Sequence, residues 1–200
     1  MVDTINPVVH GEKRPRWAAS VALHALGATL AAGLFGLVLG SLGLLLAQVL
    51  GAEVRLALIA GIAILYFARE AFRLPIPIPD RHRQVPEWWR TFFSPPVTAL
   101  LYGIGLGIGF FTYLLFGTFV AVSAAALLIG DPLIEVMLCA PFGLARGLSV
   151  IAAARGLDPV DELARIGAGS WPRLVNAAAL GVIGAAALVI FVGGAEAPVL

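Results

Sequence analysis

Arg146 is the side chain whose surroundings most invite a chemical role. It lies inside an apolar stretch at about 133–154, where burying a guanidinium costs at least ~2.5 kcal/mol on insertion scales. On a helix advancing about 100° per residue, Glu135, Cys139, Phe142, Arg146 and Ser149 share one face. They form a polar stripe on an otherwise apolar helix. Pro141 and Gly143 stand one turn before Arg146. Proline removes a backbone donor and frees a carbonyl, and interrupted membrane helices often line substrate or ion sites. The plainer readings are that Arg146 snorkels toward the inner headgroups or packs one helix on another.

Thr112 and Tyr113 join Arg146, Glu135 and Ser149 as expected substrate or ion contacts. Tyr102, Thr118 and Ser123 lie in the same apolar segment as Thr112 and Tyr113. Such hydroxyls also bond to their own helix or to a neighbour, with no ligand involved.

Other chemistries lack their residues. His24 stands alone, and His10 and His82 fall in loops, so no metal-ligand spacing arises. A membrane haem wants paired histidines at helical positions, which are missing. Cys139 is the single cysteine, which excludes an internal disulfide; in an apolar helix it reads as a small hydrophobe. The run Gly103, Gly105, Gly107 and Gly109 lacks the flanking strand of a nucleotide fingerprint. There is no Ser-His-Asp arrangement. Catalytic residues, metal and cofactor are therefore all expected to be absent, and nothing marks an enzyme.

The elements that must position these residues are membrane helices. Sixty per cent of the 200 residues are hydrophobic and 12% are charged, with a mean hydropathy of +0.96, whereas soluble domains carry about 25% charged residues. A spanning helix needs roughly 20 apolar residues. The chain offers them at about 17–50, 54–72, 97–128, 133–154 and 174–194. The expected fold is all-α: a multi-pass protein of the cell (inner) membrane with five transmembrane helices. Residues 1–16 form a cytoplasmic segment, 17–195 one transmembrane domain and 196–200 an external tail. The polar start and the overlong first apolar run predict no cleaved leader.

Charge sets the orientation. Lys13, Arg14 and Arg16 precede the first span; Arg69, Arg73, Arg81, Arg83 and Arg90 lie around the loop after the second; Arg155, Arg165 and Arg173 lie between the fourth and fifth. Those are eleven of the 13 basic residues. The opposite loops and the tail hold Arg55 beside Glu53, Asp131, Glu135 and Glu196. Positive charge in short loops marks the cytoplasmic side, so the N-terminus is inside and the C-terminus outside. The basic residues are explained by topology, and nucleic acid is not a partner.

Segments 17–50 and 97–128 are too long for a bilayer core of about 30 Å. Each must tilt, extend past the interface or break. A shift of 76 residues superposes Gly27 on Gly103, Leu30 on Leu106, Gly33 on Gly109 and Phe35 on Phe111, a hint of duplication. The pairs Gly36/Gly40, Gly103/Gly107 and Gly105/Gly109 match close helix packing. Besides the lipid bilayer, a homo- or hetero-oligomer through the Gly36, Gly40, Gly103 and Gly107 faces is expected. The loop 73–96 opens with Pro75, Pro77 and Pro79, which favour an extended path. Its Trp88-Trp89-Arg90 suits an interfacial turn. Asp158-Pro159, Asp161, Glu162, Arg165 and Gly167 predict a short surface helix.

The Gly-rich helix from His24, the second helix ending near Glu70, the basic proline loop, the run Tyr102–Thr112 and the Pro141-Phe142 pair together resemble the CcdA/DsbD-like membrane domain of cytochrome c biogenesis and thiol–disulfide transport. The resemblance covers about residues 20–195 and implies a six-helix scaffold without its first helix. It also implies two membrane cysteines, each beside proline. Here Gly109-Phe110-Phe111-Thr112-Tyr113 stands where one would be, so the redox chemistry does not carry over. The functional expectation is a small-solute or ion transporter-like protein with its site near the glycine-rich helices and Arg146. The alternatives are a non-catalytic structural or assembly subunit of a larger membrane complex, and a redox conduit.

Overall fold

A computed structural model describes residues 14–79, 88–109, 114, 116–153 and 169–195. Helix α1, Arg14–Ala47, is a single unbroken rod of 34 residues, about 50 Å long at 1.5 Å per residue. Helix α2, Ala52–Phe72, stops at Arg73, whose φ of 56° is left-handed. Residues 74–79 then hold no regular secondary structure: the expected extended path is broken at Pro75, where the Ile76 N–H donates back to the Leu74 carbonyl at 2.8 Å in a tight three-residue turn. The one-turn helix α3, Trp89–Phe92, precedes α4, Pro95–Gly107; then follow α5, Thr118–Ile129, α6, Pro132–Ala153, and α7, Ser170–Ala195.

Three of these helices are long and apolar enough to cross a membrane: Arg14–Ala47, Pro132–Ile151 and Ser170–Gly193. Many of their leucines and valines face outward, Leu30, Leu34, Leu45, Val182 and Val189 each being more than half exposed. An apolar exterior of this extent is what a lipid solvent accommodates and water does not.

The long apolar stretch 97–128 is two helices. Glycines at 103, 105, 107 and 109 weaken the helix by about 1 kcal/mol each relative to alanine. Helix α4 ends at Gly107, and Ile108 leaves helical geometry at φ −79°, ψ 64°. Helix α5 resumes after Gly117. By contrast, Pro141 does not interrupt α6, which continues through it; the proline faces outward. The surface helix expected near 158–167, the N-terminal segment to residue 13 and the tail 196–200 lie outside the described residues.

The chain forms two compact units, one of residues 1–37, 80–114 and 136–165, the other of residues 38–79, 115–135 and 166–200. The first is built on backbone approach. Ala28 of α1 is fully buried, and α4 and α6 both come up to it through glycines. A Cβ on Gly103 would run into the His24 carbonyl, one on Gly107 into the Ala28 carbonyl, and one on Gly143 into the same Ala28 oxygen. Gly27 answers from α1, where a Cβ would stand 2.5 Å from the Leu100 carbonyl oxygen of α4. Gly27 and Gly103, which the 76-residue shift superposes, thus face each other's helix across one interface.

The second unit packs larger side chains. Ile59, Ala60, Ala125, Leu128 and Ala187 form one apolar cluster, and Tyr66, Ala121 and Leu180 another with Phe67, Ile76 and Ile78 around them. The turn between α5 and α6 is made by Gly130 at φ 71°, where its α-carbon lies within 2.6 Å of the position a Cβ on Gly43 would take. Gly40, Gly103 and Gly107, named above as oligomer faces, are thus packed against the chain's own helices.

Candidate functional site

Among the described residues, a set of linked polar contacts lies in the second unit, at the end of α2. Tyr66, Arg69 and Glu70 are spaced i, i+3, i+4 and share a helix face. Glu70 is 3% exposed. Its Oε1 accepts a hydrogen bond from Arg69 Nη1 and another, at 3.0 Å, from the backbone N–H of Gly117. Gly117 is the N-cap of α5 and has no side chain of its own to offer. The first N–H groups of a helix have no partner within it, and a carboxylate there also meets the positive end of the helix dipole. Glu70 therefore caps, from another helix, the point where the apolar segment resumes.

The same face of α2 holds the proline segment 74–79. Arg69 Nε donates to the Ile76 carbonyl at 2.8 Å, and the Tyr66 hydroxyl donates to the Pro77 carbonyl at 3.3 Å. The Tyr66 ring occupies the space a Cβ on Gly117 would need. At the first residue of α5, the Thr118 hydroxyl donates to Asn176 Oδ1 at 2.5 Å, while Asn176 Nδ2 donates to the Pro172 carbonyl at 2.7 Å. The start of α5 is thus tied to both α2 and α7. At its far end, Arg55 Nη1 donates to the Leu128 and Ile129 carbonyls at 3.0 and 3.3 Å. This C-terminal cap gives Arg55, the basic residue that departs from the loop pattern, a structural task.

Of the residues singled out in sequence, Glu135 falls in the second unit and is fully buried. Arg146 and Ser149 fall in the first unit. The Arg146 guanidinium lies over the Phe142 ring, 5.5 Å from its centroid, a cation–π geometry. Ser149 is exposed and its hydroxyl donates back to the Arg146 carbonyl at 2.6 Å. Cys139 is buried. Thr112 and Tyr113 lie outside the described residues. His24, 2% exposed, has Nδ1 3.0 Å from the Ala99 carbonyl and so serves the α1–α4 contact. Among the described residues no group of three His, Cys, Asp or Glu could hold a metal ion.

In the sequence Arg69 marks topology and Glu70 only the end of the second helix. The Tyr66, Arg69, Glu70 spacing was visible; the partner was not, because Gly117 is 47 residues away along the chain. Asn176 gave no signal at all.

The chain is 36% identical over 147 residues to the methylamine utilization protein MauF of Paracoccus versutus, a match covering 73% of this chain and 53% of the relative. It is 33% identical over 135 residues to MauF of Methylobacillus flagellatus, covering 68% and 48%, and 30% identical over 138 residues to MauF of Paracoccus denitrificans, covering 69% and 50%. The chain spans about half the length of the curated relatives it matches. No protein-family model matches it. No solved structure matches it either. These relatives overturn the resemblance to the CcdA/DsbD-like group: the similarity is to MauF proteins. Gly-rich apolar helices carried that resemblance, and here such glycines serve helix packing around Ala28.

Proposed function

We propose that this chain is a five-span membrane protein, N-terminus inside and C-terminus outside, that moves a small solute or ion across the cell membrane in the service of methylamine utilization. The observation that carries the reading is the break in the 97–128 segment, with the resumed helix capped by buried Glu70. Non-helical backbone at membrane depth is tolerated where protein buries it or where it lines a cavity, and broken helices recur at transport sites. At about 20 Å and 18 Å, α4 and α5 are each too short to cross a core of about 30 Å alone. The methylamine utilization relatives supply the process, and a small organic cation is the solute class that follows from it. Arg146 and Ser149 are kept as anion or coupling contacts of the first unit, and Thr112 and Tyr113 as contacts near the break.

The test is flux. The purified full-length chain, reconstituted into phosphatidylcholine–phosphatidylglycerol vesicles, is expected to admit labelled methylammonium faster than protein-free vesicles, and Glu70→Gln is expected to slow it. No flux above the protein-free rate, with a stable partner co-purifying from native membranes, would replace transport by the complex-subunit role.

A further inference from the structure

Glu135 is a carboxylate for which the described packing provides no partner. It lies in the first turn of α6 with 0% exposure, and neither of its oxygens meets a hydrogen-bond partner among the described residues. The helix end does not occupy it. Asp131 Oδ1 accepts the N–H groups of Leu133 and Ile134 at 2.9 and 3.1 Å, so the end of α6 is already capped. Glu70, the other buried acid of this unit, has both an arginine and a backbone donor.

No described side chain hydrogen-bonds to Glu135, and the Arg55 guanidinium of the same unit is held on the Leu128 and Ile129 carbonyls at the end of α5. Gly40 of α1 is packed directly on Glu135: a Cβ there would stand 2.7 Å from Glu135 Cγ and 2.5 Å from Pro132 Cα. Residues 38–47 of α1 and all of α5 carry no charged side chain. The charged group nearest along α6 is Asp131, another acid. An ionised carboxylate held out of water without donors is costly enough that it must take up a positive partner. A glutamine or leucine would fill the volume without that demand.

We propose that Glu135 is an exchangeable monovalent-cation site that takes a proton or a small ammonium ion, and that its occupancy couples to transport. The proposal rests on the transport reading above. Both occupants share one chemistry, a proton or N–H groups delivered to the two carboxylate oxygens as charge-assisted bonds. A divalent ion is disfavoured, because calcium asks for about six to eight oxygen ligands and magnesium for near-ideal octahedral geometry. One carboxylate beside Gly40 and Pro132 does not supply that shell.

Dicyclohexylcarbodiimide, an apolar reagent that adds to protonated carboxyl groups, tests this on the full-length chain in vesicles. Adducts are read by peptide mass spectrometry across a pH series, with methylammonium chloride or potassium chloride present. Glu135 is expected to be labelled in the parent protein. Labelling that methylammonium suppresses about tenfold beyond potassium, a difference of about 1.4 kcal/mol in occupancy, assigns the ammonium; labelling that falls only as pH rises assigns the proton. Labelling absent at Glu135, or unchanged by either variable, overturns the site. In the same vesicles Glu135→Gln, checked for folding by its melting curve, is expected to lower flux about a hundredfold, towards the upper end of typical coupling free energies, because an amide takes up neither the proton nor the ammonium ion as a countercharge. Undiminished flux in folded Glu135→Gln overturns the coupling while leaving the transport reading standing. Cation-sensitive labelling without flux in any variant supports the site and removes the transport reading instead.

Discussion

Both units pack helices through glycine, and they differ in the polar ties added to that packing. Around Ala28, glycines of α4 and α6 bring backbones into contact beside the buried His24 and Tyr102, and in the second unit Gly40 and Gly43 do the same against Pro132 and Leu127. In the second unit, Tyr66, Leu128 and Leu180 fill the core and buried polar groups tie its helix ends: Glu70 to Gly117, Thr118 to Asn176, Arg55 to the last carbonyls of α5. Lipid supplies no hydrophobic drive between helices, so close van der Waals contact and hydrogen bonds must do the holding. A glycine that brings backbones together contributes no side chain of its own. Polar ties leave groups that can exchange partners, and the second unit is where transport chemistry is sought.

Substitution should separate the two modes. The largest effect is expected from Gly103→Val, whose side chain meets the His24 carbonyl, a backbone atom that cannot step aside. Overpacking of this kind costs about 3 kcal/mol, read as a lost or sharply lowered melting transition in detergent. Glu70→Leu comes next. It leaves Arg69 and the Gly117 N–H without their acceptor, and because Arg69 is 23% exposed and partly hydrated the loss is set at about 2 kcal/mol. Glu70→Gln keeps a carbonyl acceptor for Gly117 and should lose about half as much. If Glu70→Leu melts like the parent, the polar-tie account of the second unit fails. Arg55→Ala removes the C-terminal cap of α5 and is expected to cost about 1 kcal/mol. The smallest change has the opposite sign. Gly61 has open space where a Cβ would go, so Gly61→Ala should stabilise α2 by about 0.7 kcal/mol, its gain in helix propensity. Destabilisation by Gly61→Ala would mean that this glycine too is spent on close packing.

The helices were largely legible in the chain because apolar runs end at charged residues, prolines and glycines. The expected 54–72, 133–154 and 174–194 correspond to α2 at Ala52–Phe72, α6 at Pro132–Ala153 and α7 at Ser170–Ala195. The two overlong segments then diverged for a local reason. Segment 17–50 distributes its glycines and stays whole, while 97–128 concentrates four in seven positions and breaks. Where the second half resumes depends on Glu70, a contact that no local pattern encodes. Arg146 stood out because charge in an apolar run is conspicuous, yet its described partner is Phe142 one turn away. Glu135 shared that stripe, but its complete burial depends on Gly40, a residue of another helix.

In the proposed five-span topology, 97–128 crosses the membrane once, as a broken helix. Single cysteines at Ser94 and Asp131, introduced in a Cys139→Ser background and probed with a membrane-impermeant maleimide on intact and opened cells, test it directly. The account predicts that the cysteine at position 131 reacts in intact cells and that the one at position 94 reacts only after opening. Labelling of both positions from the same side would mean that α4 and α5 form a re-entrant hairpin, and would contradict the five-span account.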